Sequence, residues 1–220
     1  MLLGEQQQNR EFLNSGYIIF KAENANSLAH IRATVRETAK CLDLDQIEIH
    51  PAKLNALKLR VMEALNTPVM RSEYFALAQE HLYALVGSEI SMQKKFNLNV
   101  QLPGDDRNLL ALHTDTWTGD SPYQVVVWLP LVDCYRTKSM FLQTPQGEKY
   151  LDVKYGEVLI FNSTLPHGNR VNEEETTRWT INCRFKNVWT PYGVKGPGEH
   201  FEPITLRAAS KIGMSYKHPA

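Results

Sequence analysis

Arg178-Trp179-Thr180-Ile181-Asn182-Cys183-Arg184-Phe185-Lys186 is the stretch on which the reading of the fold turns. Side chains of an extended chain alternate between faces, so Trp179, Ile181, Cys183 and Phe185 share one side while Arg178, Thr180, Asn182 and Arg184 share the other. One face is built to be covered by a core. The other carries two guanidinium groups, which suits either solvent or the wall of an anion-binding cavity. Further strand-like segments lie upstream at Glu157 to Asn162, Met140 to Gln143 and Tyr123 to Leu131. Before them, Phe96, Leu98 and Val100 alternate with Asn97, Asn99 and Gln101. Pro, Gly and Asn punctuate these short segments, which marks a mainly β region beginning after Gly87.

Ahead of Gly87 the apolar period is near 3.6, and the first ninety residues read mostly helical. Ser27 is an N-cap candidate before Leu28, Ile31, Val35, Ala39 and Leu42; a second helix opens at Pro51, carries Leu54, Leu57, Val61 and Leu65, and ends before Pro68. A third is expected from about Ser72 to Val86, with Gly87 as its cap. Thr190 to Pro203 reads as an irregular loop before a short final helix. With no linker in view, one domain is expected, comprising a largely helical outer layer (1–88), a β core (89–190) and a C-terminal loop and short helix (191–220).

Composition sets bounds on function. The 220 residues are 43% hydrophobic and 22% charged, which is the globular range, and 24 Lys and Arg balance 24 Asp and Glu. Without net charge there is no long-range field to draw in nucleic acid or anionic lipid. Cys41, Cys134 and Cys183 form no CxxC pair and suit reduced thiols. The longest apolar run, Val125 to Val132, is too short for a bilayer, and MLLGEQQQNR lacks a signal-peptide pattern. The expectation is a cytoplasmic protein with a small-molecule substrate and neither nucleic-acid nor membrane partners, monomeric or homodimeric.

His113 and Asp115, at i and i+2 on an extended backbone, lie on one face and can hold one metal. His167, in Pro166-His167-Gly168 after a buried strand, is the candidate third ligand. Two histidines and a carboxylate make the facial triad of non-haem Fe(II) oxygenases, which leaves coordination positions for a 2-oxo acid and O2. Arg178, eleven residues beyond His167 on the polar face of the next strand, is placed to clamp a carboxylate by two charge-assisted contacts, with Thr180 one alternation further on. Asn97 and Asn99 are candidates for the cosubstrate pocket. Gln101, Trp117, Lys138 and Arg184 are candidates for substrate contact, followed by Asp120 and Arg170. His30, His50, His81, His200 and His218 have no carboxylate or histidine at ligand spacing in a β context. Each assignment has an ordinary alternative: a surface-loop pair for His113 and Asp115, a turn histidine for His167, and a structural arginine for Arg178.

His113-Thr114-Asp115, the Gly156-Glu157-Val158-Leu159-Ile160-Phe161 strand, Pro166-His167-Gly168 and the Arg178 to Phe185 strand together resemble the phytanoyl-CoA dioxygenase superfamily of Fe(II)/2-oxoglutarate oxygenases. His113 to Pro122, Val127 to Val132 and Thr137 to Met140 are similar to a branch that includes streptomycin-biosynthesis-like proteins and oxygenases of sporadic carbohydrate-biosynthesis clusters. The resemblance implies a double-stranded β-helix, a cupin-like jelly roll, with Fe(II) on His113, Asp115 and His167 as catalytic centre and 2-oxoglutarate on Arg178. It implies a dioxygenase that hydroxylates a small polar metabolite, such as a carbohydrate, sugar nucleotide or aminocyclitol. Gln143-Thr144-Pro145-Gln146-Gly147 stands where acyl-CoA-type members carry Pro-Gly-Ser-His, which argues against acyl-CoA substrates. Asp115 leaves no ligand position for a halide, which argues against a halogenase. The competing readings are a cupin-like metalloenzyme without 2-oxoglutarate and a non-catalytic metabolite-binding jelly roll.

Overall fold

The computed structural model describes residues 3–107, 109–144, 146–190, 194–195 and 198–217. The elements run α1 (Leu3–Ser15), β1 (Tyr17–Lys21), α2 (Ala25–Ala39), α3 (Pro51–Leu65), α4 (Pro68–Ala76), α5 (Gln79–Val86), β2 (Ile90–Gln93), β3 (Asn97–Gln101) and β4 (Gln124–Pro130). There follow β5 (Phe141–Thr144), β6 (Gly147–Tyr150), β7 (Glu157–Asn162), β8 (His167–Gly168), β9 (Arg178–Asn187), β10 (Phe201–Pro203) and α6 (Ala208–Ser215).

Two antiparallel sheets make a mainly β, jelly-roll architecture with the helices N-terminal to it. The large sheet has the order β1-β7-β4-β9-β2-β10, with β3 also paired to β9. The small sheet has the order β6-β5-β8. Strand β9 sits at the centre because it is long enough to serve three partners: β4 along most of its length, β3 opposite Arg178 to Asn182, and β2 opposite Phe185 to Asn187. Its apolar face behaves as the alternation predicts. Trp179, Ile181, Cys183 and Phe185 are at most 1% exposed and join Leu28, Ile31, Val35, Leu57, Val61 and Tyr74 of the helices in one core. Tyr74 donates its hydroxyl proton to the Val127 carbonyl at 2.8 Å, tying α4 to the middle of the sheet. The opposite face, with Asn97, Asn99, Arg178, Thr180, Asn182 and Arg184, is left for the site.

The helical region differs from the periodicity in three places. Asn24, not Ser27, caps α2; its Oδ1 accepts from Ser27 N at 3.0 Å, and Ser27 is buried in the first turn. The expected Ser72–Val86 helix is two helices broken at Leu77 and Ala78. The break is tertiary in origin: the Glu23 carboxylate accepts from Glu80 N and His81 N at 2.9 and 3.1 Å, capping α5 from across the chain, and Leu77 O accepts from Glu23 N at 3.0 Å. Tyr17–Lys21 is a strand, not part of the helical layer, because it completes the edge of the large sheet against β7. Within the expected C-terminal loop, Phe201–Pro203 pairs with β2. Pro145 and His218 lie outside the described residues, as do parts of the 191–220 segment.

Candidate metal centre

His113 and His167 meet as a cross-strand pair. Each donates its backbone N–H to the other's carbonyl, at 3.0 and 2.8 Å, so the chain around His113 extends the small sheet beyond β8. Directly opposed residues of an antiparallel pair project to the same face, and the two imidazole centroids stand 4.4 Å apart. Gly168 permits this pairing, since a Cβ there would meet Leu110 O at 2.8 Å and the Phe141 ring at 2.9 Å. Thr114 is extended (φ −113°, ψ 147°), which returns Asp115 to the face of His113. The Asp115 backbone N–H then donates to Ser163 O at 3.1 Å, and a 3-10 turn begins.

One ligand atom from each of His113, Asp115 and His167 lies within 4.8 Å of the others. The arrangement is prepared for a cation. His113 Nδ1 and His167 Nδ1 each lie 2.8 Å from a backbone carbonyl, of Ala111 and Leu165. A carbonyl only accepts, so both Nδ1 atoms carry the proton and both Nε2 lone pairs face the centre. Burial holds the His167 imidazole below its ordinary value; His113 and Arg184 act in the same sense, against the Leu165 carbonyl and Asp115. A neutral ring is the ligating form. Asp115 is 2% exposed; its Oδ1 accepts from Arg184 Nη2 at 2.5 Å, while Oδ2 is buried with no hydrogen-bond partner among the described residues. A buried carboxylate oxygen in that condition is costly unless a cation meets it. The donor set, two imidazoles and one carboxylate, suits Fe(II).

The centre opens on a cavity of about 430 Å³ whose lining includes Asn97, Asn99, Asn182 and Arg184. A second, smaller cavity of about 40 Å³ shares Asn99, Phe161, His167 and Asn182 with it and is lined further by Thr180 and Arg178. Arg178 is 3% exposed and makes no ion pair among the described residues. Its Nη2 donates to Asn99 Oδ1 at 2.8 Å and Nη1 to Ser139 O at 3.3 Å, while Nε has no partner among the described residues. Burial pushes the guanidinium down to about 10. A cation held in so dry a place, with no counter-charge among the described residues, suits an anion.

Other candidates lie elsewhere. Gln101 is fully buried, with its amide donating to Arg170 O at 2.8 Å, so it braces the loop beyond β8 instead of meeting a substrate. Lys138 is 1% exposed; its ammonium pairs with Asp45 and donates to Thr176 Oγ1 at 2.6 Å, which staples the segment after α2 to the sheet. Trp117 is 70% exposed and outside the cavity lining. Arg170 pairs with Glu148 at the surface. Asp120 faces Arg184 Nε at 3.5 Å and Lys195 Nζ at 2.6 Å. Arg184 itself lines the cavity, gripping Asp115. Its burial is outweighed by Asp115 and Asp120, which raise its pKa. The sequence reading missed Lys58 and Arg107 in the cavity wall. Lys58 carried a signal, since it sits four residues after Leu54 and three before Val61, where the apolar stripe of α3 calls for a hydrophobic residue.

No family model matches the chain. The streptomycin biosynthesis protein StrG of Streptomyces griseus is 30% identical over 110 residues, which is 47% of this chain and 51% of StrG; the chain spans about half the length of that relative. Solved structures match over most of their length. Apo EctD from S. alaskensis superposes with a TM-score of 0.61 at 18% identity, covering 88% of this chain and 82% of that one. The non-heme monooxygenase ThoJ, as a nickel complex, gives 0.59 at 13% identity, covering 91% and 84%. HygX from Streptomyces hygroscopicus, with nickel and 2-oxoglutarate bound, gives 0.58 at 13% identity, covering 84% and 87%. The chain shares the fold of these proteins.

Proposed function

We propose that the protein is an Fe(II)- and 2-oxoglutarate-dependent oxygenase that hydroxylates a small polar metabolite. One observation carries the reading: a small cavity shared by His167 of the His113, Asp115 and His167 cluster is also lined by Arg178, a buried guanidinium without a carboxylate partner among the described residues. ThoJ, EctD and HygX support it through the common fold, and HygX further through its bound nickel and 2-oxoglutarate. StrG supports a place in carbohydrate or aminocyclitol chemistry.

When bound, Fe(II) with 2-oxoglutarate and O2 supplies the oxidising power for C–H hydroxylation, with succinate and CO2 as coproducts. The chain supplies placement. His113, Asp115 and His167 hold the metal, each orientated by a second contact: carbonyls for the imidazoles and Arg184 for Asp115. Arg178 receives the distal carboxylate of 2-oxoglutarate, with Thr180 lining the same small cavity, while Asn99 already orients the guanidinium. Leu110 and Phe161 border both the small and the main cavity and give their junction an apolar side. The Asn97 amide donates to Asn182 Oδ1 at 2.9 Å, a polar wall beside the space left for substrate. The test is turnover of 2-oxoglutarate to succinate by the iron-loaded protein in air without substrate. Slow succinate formation that disappears in His167→Ala and Asp115→Ala supports the reading; equal formation in those variants contradicts it.

A further inference from the structure

We infer that the metabolite taken by this site carries a negative charge, a carboxylate or a phosphate ester, received by Lys58 and Arg107 on the wall of the main cavity. The inference rests on the oxygenase reading and narrows its substrate class. Among the described lining residues, three are cationic, Lys58, Arg107 and Arg184, and one is a carboxylate, the metal ligand Asp115. Arg184 is answered by Asp115 and Asp120. A divalent metal and a doubly charged 2-oxoglutarate balance each other, so the loaded site gains no charge from them. The wall formed by Lys58 and Arg107 keeps a positive excess.

Asp105 is the nearest counter-charge. Its Oδ1 accepts from Arg107 Nε at 2.8 Å, and it is 7% exposed and outside the main cavity's lining. Asp105 lines an adjoining pocket together with Lys58 and Arg107, so this wall carries two cationic groups to one carboxylate. Lys58, half-buried, has its pKa lowered by burial and by Arg178, against the opposing pull of Asp105. An arriving anion would relieve that strain on its charge. An amine would raise it: among the described residues no carboxylate other than Asp115 lines the cavity to receive one. Of the metabolites that the fold and the StrG similarity bring into view, a sugar acid, a sugar phosphate or a sugar nucleotide fits this wall, and a free amino sugar or aminocyclitol does not.

The experiment uses the protein loaded anaerobically with Fe(II) and 2-oxoglutarate. Glucose 6-phosphate, glucuronate, glucose and glucosamine are titrated into it by calorimetry. The two anionic probes should bind at least ~10-fold more tightly than glucose, with glucosamine weakest, as one or two charge-assisted contacts warrant. The better of the two anions identifies the group as phosphate or carboxylate. Lys58→Gln and Arg107→Gln should each remove most of that advantage. A flat or reversed charge order in the parent, or an advantage retained in both variants, overturns the inference. Titration of 2-oxoglutarate into each protein beforehand separates the two levels. If the parent does not bind 2-oxoglutarate, the oxygenase reading fails first; if the variants lose 2-oxoglutarate in step with the probes, the two cations serve the cosubstrate and the assignment to substrate is overturned.

Discussion

Replacing Arg178 by Met keeps a long unbranched side chain in a buried position while deleting the charge. Two routes give the size of the effect. Burial lowers the guanidinium to about 10, and at 1.36 kcal/mol per unit that fall corresponds to an uncompensated charge costing about 3 kcal/mol in the ligand-free site. Much of that cost is recovered when a carboxylate arrives. Independently, a charge-assisted, two-pronged contact contributes about 2 to 4 kcal/mol, or roughly 30- to 1000-fold in affinity. The two ranges agree. Arg178→Met should weaken 2-oxoglutarate binding by that factor and leave iron affinity nearly unchanged, because Arg178 touches Asn99 and Ser139 and none of the metal ligands. Thermal stability should not fall steeply, since the variant exchanges two hydrogen bonds for relief of a buried charge. The assay is anaerobic titration of 2-oxoglutarate into the Fe(II) form, with metal content measured on the same samples. An affinity within three-fold of the parent would refute the clamp.

Arg184→Gln removes the guanidinium that holds Asp115 Oδ1, so iron affinity should fall by roughly 10- to 100-fold, read by competition with a chelator; an unchanged metal affinity would show that Asp115 needs no such support. Gly168→Ala places a methyl group against the Leu110 carbonyl and the Phe141 ring, which should part the His113 and His167 strands and lower both melting temperature and metal occupancy together. Lys138→Met leaves Asp45 without its ammonium and should cost about 1 to 3 kcal/mol of stability, while 2-oxoglutarate affinity stays at the parental level. In the metal-free protein, His167 takes up its proton below the 6.5 of a free imidazole because of burial. The unfolded chain is protonated first, so stability conferred by this residue's neutrality is present above 6.5 and is lost as pH falls through 6.5 toward the folded value. NMR titration of the metal-free protein should show His167 among the last histidines to protonate.

The strand that opened the reading was legible because alternation is a local property: a residue's face follows from its position alone, and β9 carries core on one side and site on the other as its spelling requires. The His-Asp-His cluster was legible for the same reason, Thr114 being extended. The features that escaped depend on distant partners. Glu23 breaks the third helix from more than fifty residues away. Lys138 looked like a pocket residue until Asp45, on a segment after α2, proved to be its partner. Arg184 reads from the sequence as a candidate substrate contact, and its hold on Asp115 depends on a loop sixty-nine residues upstream. Lys58 and Arg107 belong to a helix and a loop whose juxtaposition exists only after folding, although the lysine interrupting an apolar stripe was a clue.

The central claim is that one small cavity joins a metal centre to a carboxylate clamp. Its most direct test is anaerobic addition of 2-oxoglutarate to the Fe(II)-loaded protein, followed in the visible region. A weak metal-to-ligand charge-transfer band that saturates with one equivalent of 2-oxoglutarate, and that requires far more of it in Arg178→Met, is the predicted result. Iron bound at full occupancy with no band at any 2-oxoglutarate concentration would contradict it.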